Sequence, residues 1–104
     1  MTDLCVEVER APRAALVRLE GDLDKVSAPA FRKCLAGLAE EGCVEVVVDT
    51  AGLAFCDSSG LWVLVEHQRT LSGMGGTLQL TGVHGVLRRV LEVTGLRPLF
   101  ASQL

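Results

Sequence analysis

The sequence lacks three features that assign many chains to a class: clusters of basic residues, long apolar runs and closely paired cysteines. The net charge is −3, and Lys and Arg form no patch, which argues against nucleic acid or an anionic membrane surface as the main partner. The apolar run after Gly60 covers only residues 61–65, far short of the ~20 residues that a membrane span needs. We therefore expect no direct nucleic-acid binding and no membrane association.

The first ten residues, MTDLCVEVER, have no charged lead followed by an apolar stretch, so we expect no secretory signal and a cytoplasmic protein. The cysteines are scattered without CxxC spacing, and we interpret them as free thiols: Cys5, Cys34, Cys43 and Cys56. A zinc site that includes His67 or His84 is disfavoured, because metal-binding cysteines usually come in close pairs. We predict no metal and no other cofactor.

The chain has 104 residues, of which 49% are hydrophobic, so one domain spanning 1–104 can bury a core without disulfides. Alternation of apolar and polar residues predicts strands at 4–9, 15–20 and 77–81, and a β-branched run predicts a strand at 44–48. We expect the second strand to end at Gly21 and the 44–48 strand to be broken around Gly52. Residues 99–100 can add a fifth strand.

Apolar residues at helical spacing predict three helices. The first follows Ser27, with Pro29 in its first turn; the second begins at Asp57 or Ser58 and ends near Gly73; the third ends at Gly95, a residue typical of the left-handed cap. The first two strands can pair antiparallel, and each strand–helix–strand unit favours parallel pairing. Since strands alternate with helices, the fold class is α/β, with a mixed, mostly parallel sheet of about four to five strands. Most strands carry polar residues on one face, so we expect the helices mainly on one face of the sheet.

The stretch of residues 44–64 runs from a buried strand through a short loop into the second helix. Free N–H groups and the positive end of the helix dipole make such a helix start suitable for an anion. Taken alone, the tetrapeptide DSSG at residues 57–60 is a plain N-cap. Trp62 and Arg69 lie within about 40° of Ser58 around the helix, on a stripe that we expect to be exposed. Trp62 then either belongs to a contact ridge or folds onto the loop after Gly21.

Three segments resemble the STAS domains of the bacterial anti-sigma factor antagonist family: residues 19–24 (LEGDLD), 55–61 (FCDSSGL) and 93–96 (VTGL). With the strand spacing, the resemblance covers almost the whole chain. It implies a binding protein, not an enzyme, that works by partner switching. The unphosphorylated antagonist binds an anti-sigma factor, which is also a serine kinase, and frees the sigma factor. Phosphorylation releases the antagonist, and a phosphatase resets it.

The resemblance places the phosphorylated serine directly after the aspartate, at Ser58. We expect a monomer when free and a partner-binding surface that comprises Asp22, Asp24, Asp57, Ser58, Ser59, Trp62 and Arg69, of which Trp62 and Arg69 are included because of their helical spacing from Ser58. Asp57 either caps the helix or helps to orient the hydroxyl, and Ser59 is structural unless the register is shifted by one residue. The alternative function is a STAS scaffold or nucleotide-sensing module that is never phosphorylated.

Other chemistries fit the sequence less well. Ser58 and His67 are nine residues apart, half a turn out of phase and roughly 13 Å along a helix, so they cannot form a catalytic pair. The glycines at 73–76 follow a helix and therefore form a turn, not a phosphate loop. Cys56 is either a thiol activated by the helix start or an ordinary, partly buried one. Asp22 and Asp24 fit turn and cap positions better than a cation site.

Overall fold

The fold is a mixed sheet with three helices, described by a computed structural model for residues 3–102. The strands are β1 (Cys5–Ala11), β2 (Ala14–Leu23), β3 (Glu45–Cys56), β4 (Thr77–Thr81) and β5 (Ala101–Ser102), in the spatial order β1-β2-β3-β4-β5. The helices are α1 (Ala28–Glu40), α2 (Ser58–Gly73) and α3 (Gly85–Thr94), followed by a 3-10 turn at Arg97–Leu99. β1 pairs antiparallel with β2, and every other pair is parallel. The predicted class, sheet type and order of elements are confirmed.

One face of the sheet is buried and the other is polar. Alternate residues of the three central strands point into the core: Ala15, Val17, Leu19, Val46, Val48, Leu78 and Leu80. Buried residues of all three helices, such as Phe31, Leu64 and Leu91, belong to the same core. On the opposite face Arg18 and Glu9 form an exposed ion pair at 3.4 Å. The prediction that the helices lie mainly on one face is confirmed.

Two strands run past the glycines at which they were expected to end. β2 continues through Gly21 to Leu23, and β3 continues through Gly52 to Cys56. β2 and β3 stay paired past these glycines because the pairing register shifts twice, between Arg18 and Glu20 and again after Gly21. A Cβ on Gly52 would lie 2.7 Å from the carbonyl oxygen of Leu19, so glycine here permits the close approach of the two backbones. Both strands therefore reach the same edge, where Leu23 pairs with Cys56.

The end of the described chain differs from the prediction in its details. Gly95 ends α3 in the left-handed conformation, with φ of 72°, as expected. The residues predicted as a fifth strand do not form one, because Leu99 ends the 3-10 turn and Phe100 is its C-cap, with its backbone N–H bonded to the carbonyl oxygen of Arg97. The fifth strand follows at Ala101–Ser102 and pairs parallel with β4. Within the described range, no helix is both long and apolar enough to cross a membrane.

Candidate functional site

Ser58 is the first residue of α2 and lies exposed at the carboxyl end of the parallel strands. Asp57 is the N-cap: its backbone is extended, and its Oδ1 accepts a hydrogen bond from the backbone N–H of Gly60 at 3.1 Å. Of the two predicted caps, Asp57 is therefore the one that forms. The first N–H groups of a helix have no partner within it, so Ser58 lies among unbonded donors at the positive end of the α2 dipole.

The loop between β2 and α1 is held against this helix start. The backbone N–H of Asp57 donates to the carbonyl oxygen of Leu23 at 3.1 Å, and the backbone N–H of Lys25 donates to Oδ2 of Asp57 at 3.3 Å. The Asp57 carboxylate thus accepts one hydrogen bond from α2 and one from the β2–α1 loop. A Cβ on Gly60 would lie 2.5 Å from Cγ of Leu23, so α2 begins in direct contact with the end of β2.

The two aspartates of the β2–α1 segment organise this loop. Oδ1 of Asp24 accepts hydrogen bonds from the backbone N–H groups of Val26 and Ser27, both at 3.0 Å. Both bonds lower the pKa of Asp24, and the bond from Ser27 has the larger effect. Ser27 stands at the N-cap position of α1 as predicted, but its side chain does not cap that helix. Its Oγ donates to the carbonyl oxygen of Asp22 at 2.9 Å.

Cys56 lies directly before the cap but is not an activated thiol. Burial, and secondarily the Asp57 carboxylate, raise the pKa of Cys56 to about 12. The side chain faces the core, so the helix dipole does not compensate for desolvation of a thiolate. The interpretation of Cys56 as an ordinary buried thiol is the correct one.

The predicted exposed stripe on α2 is present. Trp62 is 56% exposed, so the alternative in which the loop covers it is wrong. Arg69 is also exposed. It lies two turns after Trp62 and, at 1.5 Å per residue, about 16 Å from Ser58 along the helix axis. Between them Glu66 pairs with Arg32 of α1 at 3.1 Å. Trp62 lines a groove with Lys25 and Ser59 at the corner where α2 begins, and Arg69 is not among the residues that line it.

Sequence reasoning missed a set of exposed apolar residues at the end of the sheet where Ser58 lies. Six large hydrophobic side chains are exposed in the described part of the chain, and four of them lie on segments that follow or end the parallel strands: Val26, Phe55, Trp62 and Val86. We call these four residues the apolar rim. Val26 lies in the β2–α1 loop, while Phe55 and Val86 line one cleft of about 190 Å³ between the end of β3 and α3. Exposed apolar residues on neighbouring segments indicate an interaction surface. The available signal was a large apolar residue in a predicted loop, as at Val26 and Phe55.

The corner offers no catalytic or metal-binding arrangement. His67 is buried in α2 while Ser58 is exposed, and Nε2 of His84 lies 3.0 Å from the carbonyl oxygen of Ala51. Among residues 3–102, no three His, Cys, Asp or Glu side chains group closely enough to hold a metal ion.

Comparison with known proteins finds relatives that match the sequence and the fold of this chain. The family model described as Mlab, STAS domain matches residues 6–100. The anti-sigma-B factor antagonist of Bacillus subtilis is 31% identical over 94 residues, which cover 90% of this chain and 85% of that protein. The crystal structure of an anti-sigma factor antagonist from Mycobacterium paratuberculosis has a TM-score of 0.85 and 24% identity, over 96% of this chain and 85% of that one. Phosphorylated SpoIIAA from Bacillus has a TM-score of 0.78 and 22% identity, over 96% and 92%.

The class that fold and site define is the STAS domain. Within that class, the chain belongs to the family of anti-sigma factor antagonists. These are regulatory binding proteins, so the prediction of a protein that is not an enzyme is confirmed.

Proposed function

We propose that this protein controls a sigma factor by partner switching at Ser58. The unphosphorylated form binds an anti-sigma factor that is also a serine kinase, and the sigma factor is thereby freed. Phosphorylation of Ser58 releases the protein, and a phosphatase restores the hydroxyl. The observation that carries the proposal is an exposed serine at a capped helix start, at the end of the sheet where the residues of the apolar rim are also exposed. The proposed form is a cytoplasmic monomer when free.

The helix start accommodates a phosphate without unfolding. A phosphoserine adds a charge of about −1.5 to −2, and at the first residue of α2 that charge faces free N–H groups and the positive dipole end. The Asp57 cap uses its own carboxylate oxygens and does not depend on the Ser58 hydroxyl. In agreement, phosphorylated SpoIIAA has this fold.

The phosphate would act at the interface instead. Val26, Phe55 and Trp62 present apolar surface on the segments that meet at the start of α2, and a partner that covers this end of the sheet must also remove water from whatever Ser58 carries. Desolvating a doubly charged group against a surface suited to a neutral hydroxyl costs on the order of several kcal/mol. Since each ~1.4 kcal/mol is a factor of ten in affinity, release follows without a change of fold.

The test compares Ser58→Asp and Ser58→Ala with Ser72→Asp as the matched control, since Ser72 is an exposed serine in the last turn of α2, far from Ser58. Circular dichroism should be that of the parent in all three. Ser58→Asp should lose binding to the anti-sigma factor captured by the parent protein, Ser58→Ala should bind but resist phosphorylation, and Ser72→Asp should bind like the parent. Intact mass of the cellular protein should show one phosphate.

A large loss of helicity in Ser58→Asp would contradict the proposed mechanism. Partners unaffected by Ser58→Asp, with no phosphate on the cellular protein, would favour the alternative of an unphosphorylated STAS scaffold or nucleotide-sensing module.

A further inference from the structure

A basic groove lies beside Ser58, between the β2–α1 loop, α1 and the first turns of α2. It has a volume of about 330 Å³ and is lined by Lys25, Ala28, Pro29, Arg32, Ser59 and Trp62. The hydrogen bond from the backbone N–H of Lys25 to Asp57 fixes one wall against the helix start. Pro29, in the first turn of α1, stiffens the opposite side.

Two cations, Lys25 and Arg32, line this groove in a chain whose net charge is −3. Arg32 pairs with Glu66, but both side chains are about half exposed, at 55% and 51%, so solvent weakens that pair. The Asp57 carboxylate lies at the edge of the groove, where it accepts from the backbone N–H of Lys25. The Lys25 side chain takes part in none of the ion pairs among the described residues. Its ammonium group is therefore the cation of the groove that is available to a ligand.

The remaining lining residues suit a side chain rather than a free ion. Trp62, 56% exposed, supplies a flat apolar wall, against which the methylene stem of a longer side chain can pack. Ser59 adds a hydroxyl at the inner end. A carboxylate carried on a short aliphatic stem satisfies the cations, the hydroxyl and the ring together.

We propose that the basic groove receives an Asp or Glu side chain from the anti-sigma factor and so fixes the register of the complex. This inference rests on the proposed function for the identity of the partner. The groove would also contribute to release of the partner on phosphorylation. A phosphate on the neighbouring Ser58 places negative charge beside the groove, where it repels the incoming carboxylate and competes for Lys25.

The experiment measures the affinity of the purified anti-sigma factor for Lys25→Glu, Arg32→Gln and Lys33→Glu. Lys33 is an exposed cation of α1 outside the groove and is the matched control. Lys25→Glu should weaken binding by about tenfold or more, and Arg32→Gln should weaken it less, whereas Lys33→Glu should stay within about twofold. A carboxylate-to-Lys change in the partner should restore binding to Lys25→Glu.

Melting temperatures equal to the parent's show that the variants are folded. Parent-like affinity of Lys25→Glu, or an equal loss in Lys33→Glu, would overturn the groove assignment. Ser58→Asp, measured alongside, separates the two proposals. If it loses binding while Lys25→Glu does not, only the groove proposal fails; if it binds normally while Lys25→Glu is weak, only the switch fails.

A nucleotide is the competing occupant, and the single tryptophan reports on it. ATP added to the free protein should leave Trp62 fluorescence unchanged. Saturable quenching that disappears in Lys25→Glu would assign the groove to a nucleotide and overturn the proposal of an acidic side chain.

Discussion

The backbone N–H of Lys25 donates to Oδ2 of Asp57 at 3.3 Å, which joins a loop and a helix that are far apart in the sequence. The other oxygen of the same carboxylate caps α2 at Gly60. One side chain thus fixes the position of the proposed phosphorylation site relative to the wall of the basic groove.

Removing this carboxylate should lower stability more than an ordinary surface substitution does. We expect Asp57→Ala to reduce the free energy of unfolding by about 1–2 kcal/mol, because a helix cap and a loop hydrogen bond are both lost. Asp57→Asn should lose less, since an amide oxygen still caps the helix. Urea denaturation monitored at 222 nm, a standard helix signal, measures both. Equal stability of Asp57→Ala and the parent would contradict the role of the cap.

Gly60 should tolerate no side chain. Its Cβ would lie 2.5 Å from Cγ of Leu23 and 2.9 Å from the Leu23 carbonyl oxygen, so Gly60→Ala should cost about 1–3 kcal/mol by overpacking. A Cβ added to Gly37, within α1, would meet no atom within 4 Å, and Gly37→Ala should be neutral or stabilise by up to about 1 kcal/mol. Denaturant melts of the two variants compare the same chemical change at both positions. The same effect in both would show that α2 does not depend on contact with β2.

The cysteines should differ in reactivity by burial. Cys5 is exposed, whereas Cys56 is buried and burial raises its pKa to about 12. Brief treatment of the folded protein with iodoacetamide at neutral pH should modify Cys5 first and leave Cys56 intact until denaturant is added, because alkylation requires an accessible thiolate. Peptide mass spectrometry locates the label. Early modification of Cys56 would mean that the start of α2 opens readily.

Stability should fall in mildly acidic solution because of His67. Burial lowers the pKa of His67 in the folded state, and its Nε2 has no hydrogen-bond partner among the described residues. The unfolded chain, with a histidine pKa of about 6.5, therefore binds more protons as the pH falls through that value. The free energy of unfolding should drop as the pH falls through about 6.5, and His67→Leu should flatten this dependence. An identical slope in His67→Leu would assign the pH dependence to another group.

Much of the fold could be predicted because it depends on local patterns. The alternation of β4, the β-branched run of β3, the Asp57 cap and the Gly95 stop are each set by a few adjacent residues. Helical periodicity also places Trp62 on the same side of α2 as Ser58, but it left open whether the loop after Gly21 covers the ring, and the structure shows that it is 56% exposed.

The ends of β2 and β3 could not be predicted in this way. Gly21 and Gly52 are typical strand breakers, yet pairing between the two strands continues past them through register shifts. Such pairing is a long-range interaction whose free energy outweighs local propensity. This extension is what brings Leu23 and Cys56 to one edge and places the β2–α1 loop against α2.

The sequence by itself thus determined the order of elements and the helix start at Asp57, since these depend on neighbours along the chain. Ser58 as the candidate phosphorylation site is implied by the resemblance to the family. Only the tertiary structure decided which segments lie near that serine. The apolar rim and the basic groove form because parallel strands end at a common edge and bring together segments that are distant in sequence.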